Sequence, residues 1–214
     1  MTLKWKDTEP MIISLLRDIT DEEARRSERA RRYDPDDLVV WWNNAQAQLA
    51  TQKPVQSHYI YRPEDGYDVA LPDRFYRPRG VFFPGETASV ERTSLESYWF
   101  GVAKKGYYIS EERLVIVGYP SSPGFLLVYH SYYPRVKDDN SWVRVPEWSL
   151  EACTVYSAMQ AVTQEMMRDA RYRKFISKED AGNPQQNPFI PVAEWLRKRF
   201  YEIVNSHSDD DQNL

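Results

Sequence analysis

The hydrophobic residues of positions 146–175 recur at alternating steps of four and three, the spacing of one face of an α-helix. Pro146 and Glu147 suit the first turn of such a helix, where proline is tolerated and an acid meets the positive helix end. We therefore predict a long helix from Pro146 to Phe175 with one apolar stripe that packs against other helices. The stripe consists of Trp148, Ala152, Val155, Met159, Val162 and Met166.

Helical spacing also occurs at both ends of the chain. Asp7, Thr8 and Pro10 predict the start of a first helix, and Asp34 followed by Pro35 predicts a second one that ends near Gln52. The apolar face of the second helix consists of Leu38, Trp41, Trp42, Ala45 and Leu49. A last helix over Pro188–Val204 carries Phe189, Val192, Trp195, Leu196, Phe200 and Ile203 on its apolar face. Residues 183–188, with a proline at each end, predict a linker before it.

The middle of the chain has the composition of β-strands separated by turns. We predict strands over 57–61, 67–71, 75–83, 106–109, 113–117 and 125–133. Pro78 places the third of these at a sheet edge or a bulge, and 94–100 is open between a short helix and a loop. The predicted fold class is α+β, in which N- and C-terminal helices form a helical bundle with an inserted antiparallel β domain. The predicted domains are a helical frame of 1–54 plus 146–205, a β insertion of 55–145 with its connecting loop, and a disordered acidic tail of 206–214.

Charge and candidate chemistry argue against several functional classes. The net charge is −4, so the chain has no overall basic field for nucleic acid. The single cysteine, Cys153, predicts a buried thiol and excludes a disulfide framework, which suggests folding in a reducing, intracellular compartment. The three histidines, His58, His130 and His207, show no metal-ligand spacing. We expect no enzyme activity, no cofactor or metal, and no membrane span or signal peptide.

Two alternatives remain open at this point. A nucleic-acid-binding module would use Trp41, Trp42 and the arginines of 25–32, although paired tryptophans on a helix are more often core or subunit contacts, and acids interleaved among these arginines favour a solvated, salt-bridged helix. A small hydrolase would need His58 and His130 to converge near an acidic loop.

Several segments, taken in order, resemble the head-to-tail connector (adaptor or head-completion) proteins of tailed bacteriophages. They are Trp41–Ala50, Val69–Val81, Gly106–Ile109, Tyr132–Pro134, Val145–Trp148 and Gly182–Pro188. The resemblance covers roughly residues 35–205. The charged segment Asp21–Tyr33 matches no motif of the family, so the resemblance assigns no role to residues 1–34.

The resemblance implies a structural virion protein of the neck, assembled in the host cytoplasm. Its partners would be the portal protein above, a tail or neck protein below, and further copies of itself in a ring, expected to be a dodecamer, that continues the channel for passing DNA without sequence-specific binding. For portal binding the candidates are Phe189, Ile190, Trp195, Leu196, Arg197 and Phe200, on a helix expected to stand apart from its own subunit unless it folds back onto the Trp148 stripe. For the subunit interface they are Trp41, Trp42, Arg77 and Arg79.

Overall fold

The computed structural model describes residues 3–20, 33–119, 123–168 and 189–207. Its elements, in chain order, are β1 (Leu3–Lys4), α1 (Trp5–Thr20), α2 (Pro35–Gln52), β2 (Val55–Tyr61), a 3₁₀ turn (Pro63–Asp65), β3 (Asp68–Ala70), β4 (Phe75–Phe82), α3 (Leu95–Trp99), β5 (Gly106–Ser110), β6 (Arg113–Val117), β7 (Phe125–Ser131), β8 (Trp142–Val143), α4 (Ser149–Arg168) and α5 (Phe189–Ser206). The mixture of helices with antiparallel sheets confirms the α+β class. The predicted segments 21–32 and 183–188 and most of the acidic tail lie outside the described residues.

The chain divides into two compact units. A helical unit joins the residues up to Lys53 with those from Tyr133 onward, and a β unit comprises Pro54–Tyr132. The sequence had assigned 133–145 to the β insertion, but this segment is anchored to the helices. Asn43 on α2 donates from Nδ2 to the carbonyl of Val136 at 2.8 Å and accepts from the Val136 N–H at 2.9 Å.

Local signals explain the bounds of α2. Asp34 is the N-cap and accepts a hydrogen bond from the Asp36 N–H at 3.0 Å, and Pro35 occupies the first helical turn. The helix ends at Gln52, as predicted, and its five predicted apolar residues are all buried. The helix α1 starts at Trp5, earlier than predicted, and buries Ile12 and Leu16.

The helix α4 is the centre of the helical unit, because it contacts α1, α2 and α5. It begins at Ser149 rather than Pro146, since Trp148 still lies in the preceding turn. The single predicted stripe is too narrow: besides Ala152, Val155 and Val162, the helix buries Cys153, Thr154, Ser157, Ala158 and Ala161. Contact with three neighbouring helices buries a wider arc than one apolar stripe.

The β unit contains two antiparallel sheets of three strands, in the orders β2-β7-β4 and β3-β6-β5. Strand β7 buries Phe125, Leu127, Tyr129 and Ser131 and leaves the alternate residues half-buried, as a strand with one core-facing side should. One hydrophobic cluster draws residues from both sheets, among them Tyr61, Val69, Tyr107, Leu114 and Leu127. The hairpin β5–β6 is confirmed, and so is the position of β4 at a sheet edge, with register shifts on either side of Arg77 and Pro78.

Candidate assembly surfaces

The helix α5 packs against α4 of its own chain. Leu196 and Phe200 are both fully buried, and the Phe200 ring lies 5.0 Å from that of Tyr156 on α4. Arg199 forms an ion pair with Glu151 at 2.7 Å, and His207 stacks on Trp148 with ring centroids 4.5 Å apart. The expectation of a helix that stands apart from its own subunit is wrong, and the fold-back alternative describes the structure.

The six predicted portal-binding residues therefore divide between two sides of α5. Leu196 and Phe200 face the core, whereas Trp195 is 54% exposed and Arg197 is exposed as well. Ile190 is half-buried, and the side chain of Phe189 lies outside the described residues. The amphipathic spacing correctly identified the buried side of α5. The predicted portal-binding set, however, combined residues of the buried side with residues of the exposed side.

The exposed side of α5 forms a shallow depression with mixed charge and aromatic side chains. It is lined by Glu194, Arg197, Lys198, Tyr201, Glu202 and Asn205. Glu202 lies 3.9 Å from both Lys198 and Arg199, so these charges are partly compensated within the helix. Aromatic side chains together with arginine are typical of protein interfaces. We call this depression together with Trp195 the α5 surface.

Trp41 and Trp42 belong to the core of the helical unit. Trp42 is fully buried and Trp41 is 7% exposed, and the Trp42 ring lies 5.7 Å from that of Trp5. Stacking on a nucleic-acid base needs an open ring face, which neither side chain offers in this arrangement. Their burial favours the core role that the sequence left open, and their assignment to a subunit interface stays a prediction.

Arg77 and Arg79 are exposed on the edge strand β4. Arg77 is paired in register with His130 on β7, and its guanidinium lies 5.6 Å from the Tyr76 ring. Arg79 donates a hydrogen bond from Nη1 to Oε1 of Gln56 on β2, the far strand of the same sheet. The two arginines thus give this sheet a basic end, and their place in a subunit interface stays a prediction.

The register of β2 and β7 brings His58 and His130 to the same face of this sheet. His58 is paired with Val128 and His130 with Gln56, so the two histidines are diagonal neighbours. Burial lowers the pKa of His130 first, and the positive charges of Arg77 and Arg79 lower it further. These neighbours are cations, whereas the hydrolase alternative needed an acid beside the histidines. Within the described ranges no group of three His, Cys, Asp or Glu side chains is placed to hold a metal ion, and no described helix has the length and apolar character needed to cross a bilayer.

Sequence reasoning missed the most exposed apolar residues in the described part of the chain. Trp99 is 80% exposed, Phe100 78% and Val102 80%, at the end of α3 and just after it. We call these three residues the aromatic knob. Three consecutive aromatic residues at 98–100 cannot all face one core from a helix of one turn, and this signal was available in the sequence.

The local backbone holds the aromatic knob in a defined shape. Ser94 caps α3 by accepting from the Ser97 N–H at 3.0 Å. The carbonyl of Ser97 accepts from the N–H groups of both Val102 and Ala103 at 2.9 Å. Gly101, directly before Val102, has φ +72°, which glycine adopts without strain. These backbone hydrogen bonds therefore hold the knob in one conformation on the surface.

A family model described as the SU10 adaptor protein matches residues 11–187, which is most of the chain. The chain belongs to the SU10 adaptor protein family. This is a phage head–tail adaptor family, so the resemblance to connector proteins is confirmed, and the protein is a structural adaptor of the virion that interacts with other virion components. The matched range begins at residue 11, earlier than the predicted resemblance, and it ends before α5. No curated protein matches the chain.

Proposed function

We propose that this SU10-family adaptor forms a homo-oligomeric ring, a dodecamer, beneath the portal protein. The ring links the capsid to a tail or neck protein below and continues the DNA channel, in a structural and not an enzymatic role. In this arrangement the helical unit is the frame of the ring and the β unit is an insertion that meets neighbours. Assembly takes place in the host cytoplasm before the protein becomes part of the neck.

The observation that carries this proposal is the exposure of large apolar side chains on both units, although each unit also buries apolar residues in a core of its own. Phe100 and Ile60 of the β unit are 78% and 67% exposed, and Trp195 of the helical unit is 54% exposed. Large exposed apolar groups that cluster with charged residues are typical of binding sites. An adaptor that meets copies of itself, a portal and a tail component needs several such surfaces.

The α5 surface is the proposed portal-docking site. Trp195, Arg197 and Tyr201 contact the portal, whereas the buried Leu196 and Phe200 fix the orientation of α5 on α4. Ile190, half-buried at the start of the helix, extends the same contact. A modest contact repeated around a ring gives tight docking through avidity.

The charge of the chain suits a channel through which DNA moves. A net charge of −4 does not favour tight, sequence-independent binding to phosphates. The nucleic-acid-binding alternative has lost its stacking platform, because Trp41 and Trp42 are buried. Its arginines, within residues 25–32, lie outside the described residues.

The test is negative-stain microscopy of the purified protein, alone and mixed with the portal protein of the same phage. We expect rings, and rings docked on portals. The variant Trp195→Glu should form rings that no longer dock, because a charge replaces the central aromatic residue of the α5 surface. Trp142→Glu is the matched control: Trp142 is 46% exposed on β8 of the same unit, and its variant should dock as the wild type does.

The absence of rings in both samples, together with the absence of portal binding in the mixture, would contradict the proposed function. Normal docking of the Trp195→Glu variant would instead leave the function standing and exclude the α5 surface as the docking site.

A further inference from the structure

The β unit carries two unlike apolar surfaces that are exposed in full or in part within the described residues. One is the aromatic knob of Trp99, Phe100 and Val102. The other is the outer face of sheet β2-β7-β4, whose residues alternate with those of the buried cluster. We define this outer face by the apolar residues Ile60, Phe82, Leu126 and Val128, together with His58, His130, Arg77 and Arg79. The hydrogen bond of Arg79 to Gln56 places Arg79 on this face.

The register explains why these outer-face residues lie together. Leu126 on the central strand is paired with Ile60 on one side and Phe82 on the other, so the three form an apolar row across the sheet. Ile60 is 67% exposed, and Leu126, Phe82 and Val128 are half-buried. Arg77 and Arg79 lie at the other end of this face. The outer face thus joins an apolar patch to two guanidinium groups.

The aromatic knob lies outside the sheet that carries the outer face. It lies in the connection between β4 and β5, and the residues on either side of it are tied to β5, the edge strand of the second sheet, through the bridge of Arg92 to Tyr107. Exposures near 80% show that, within the described residues, neither the outer face nor any other surface covers the knob. The knob and the outer face therefore need a partner each.

The geometry points to a second copy of this chain as that partner: the aromatic knob of one subunit docks on the outer face of the next. This inference rests on the proposed ring. Contacts between unlike surfaces of identical chains are head-to-tail, and they close into rings when the rotation between subunits permits. A two-fold dimer would instead need one self-complementary patch.

The chemistry of the two surfaces is complementary. Tryptophan and phenylalanine are the side chains that most often anchor interfaces, and the apolar row of Ile60, Phe82 and Leu126 offers them an apolar seat. Arginine guanidinium groups stack on indole rings, so Arg77 and Arg79 suit Trp99. Glu96, exposed on the same short helix as Trp99, supplies a carboxylate for the two arginines.

The test uses two full-length variants that disable opposite sides of this contact. Trp99→Glu combined with Phe100→Glu removes the knob, and Ile60→Asp removes the seat. All three residues are highly exposed, so folding should be unaffected, and circular dichroism checks this. Each variant alone should lose at least about tenfold in self-association, as measured by sedimentation velocity.

An equimolar mixture of the two variants distinguishes a head-to-tail contact from general damage. The intact knob of the Ile60→Asp subunit can dock on the intact outer face of the knob variant, but neither subunit can extend the chain further. We therefore expect dimers in the mixture, monomers in each separate sample and rings in the wild type. Trp142→Glu serves as the control that keeps both ring assembly and portal docking.

Assembly is scored in whichever condition the wild type forms rings, alone or on the portal. If the wild type forms none in either, the proposed function and this inference both fail. If the wild type forms rings and either variant alone forms them equally well, the inference is overturned and the function stands. Mixtures that remain monomeric while both variants are folded also overturn it.

Discussion

At the scale of single residues, two side-chain amides on α2, the half-buried Asn43 and the buried Gln46, illustrate opposite outcomes. Asn43 makes both of its hydrogen bonds to the backbone of Val136 and so holds the segment that follows the β unit. Gln46, 2% exposed on the next turn, has no hydrogen-bond partner within the described residues for either amide atom. A buried polar group without a partner costs free energy that an apolar side chain of similar shape does not.

We expect Gln46→Met to raise the free energy of unfolding by about 1 kcal/mol, because methionine has nearly the same shape and removes the unpaired amide. The measurement is urea denaturation followed by circular dichroism. The matched variant is Asn43→Leu, which should lower the free energy by about 1–3 kcal/mol since it leaves both backbone groups of Val136 unpaired. A loss of stability in Gln46→Met would show that its amide is paired in solution.

At the scale of elements, the parts predicted well are those whose signals are local. The capping Asp34 and the following Pro35 fixed the start of α2, and Pro78 fixed β4 as an edge strand. The partner of a face is not a local property. The spacing of Leu196 and Phe200 shows that one side of α5 must be covered, but it does not say whether α4 or another protein covers it.

The same limit explains the other differences. The width of the buried side of α4 depends on how many helices surround it. The number of neighbouring helices cannot be predicted from one apolar stripe. Trp99 and Phe100 lie in a stretch whose composition fits either a short helix or a loop, and hydrophobic spacing indicates only residues that a core covers. For Arg77 and Arg79, the sequence predicted that their strand lies at a sheet edge. It did not predict the bulged register that pairs Arg77 with His130.

The packing of α5 on α4 gives the element-scale prediction. Phe200→Ala should lower the free energy of unfolding by about 3–5 kcal/mol, because it empties a fully buried site against Tyr156. Trp195→Ala, on the exposed side of the same helix, should change it by no more than about 0.5 kcal/mol. Thermal and urea unfolding of both variants provide the comparison. Equal, small effects would mean that α5 does not belong to the core of its own chain in solution.

At the scale of the whole molecule, the chain passes from the helical unit into the β unit after Lys53 and returns to it at Tyr133, and these two points are neighbours. Val55 and Ser131, next to its ends, are directly paired across β2 and β7, and the hydroxyl groups of Ser57 and Ser131 lie 2.9 Å apart. On the helical side, the Tyr133 hydroxyl donates to the carbonyl of Lys53 at 2.9 Å. Each unit therefore holds its own two chain ends together.

This arrangement predicts that the two units can be separated. Residues 54–132 expressed alone should fold into a β domain that unfolds cooperatively, because the cluster of Tyr61, Leu114 and Leu127 lies entirely within them. The helical unit, with Lys53 joined to Tyr133 by a short Gly-Ser linker, should also fold, since bridging two adjacent ends costs little loop entropy. Circular dichroism distinguishes the two products by their strand and helix signals.

Thermal unfolding of each separated unit then shows whether that unit is stable without the other. A β domain that melts in one sharp transition has its stability in its own cluster, and its surfaces, the aromatic knob and the outer face, are presented on an autonomous body. That property suits an adaptor, because contacts of the β unit with a neighbour can then form without disturbing the helices that carry the α5 surface. A separated β domain without a cooperative transition would instead show that its fold depends on the helical unit. Contacts of the β unit would then not be independent of the helices that carry the α5 surface.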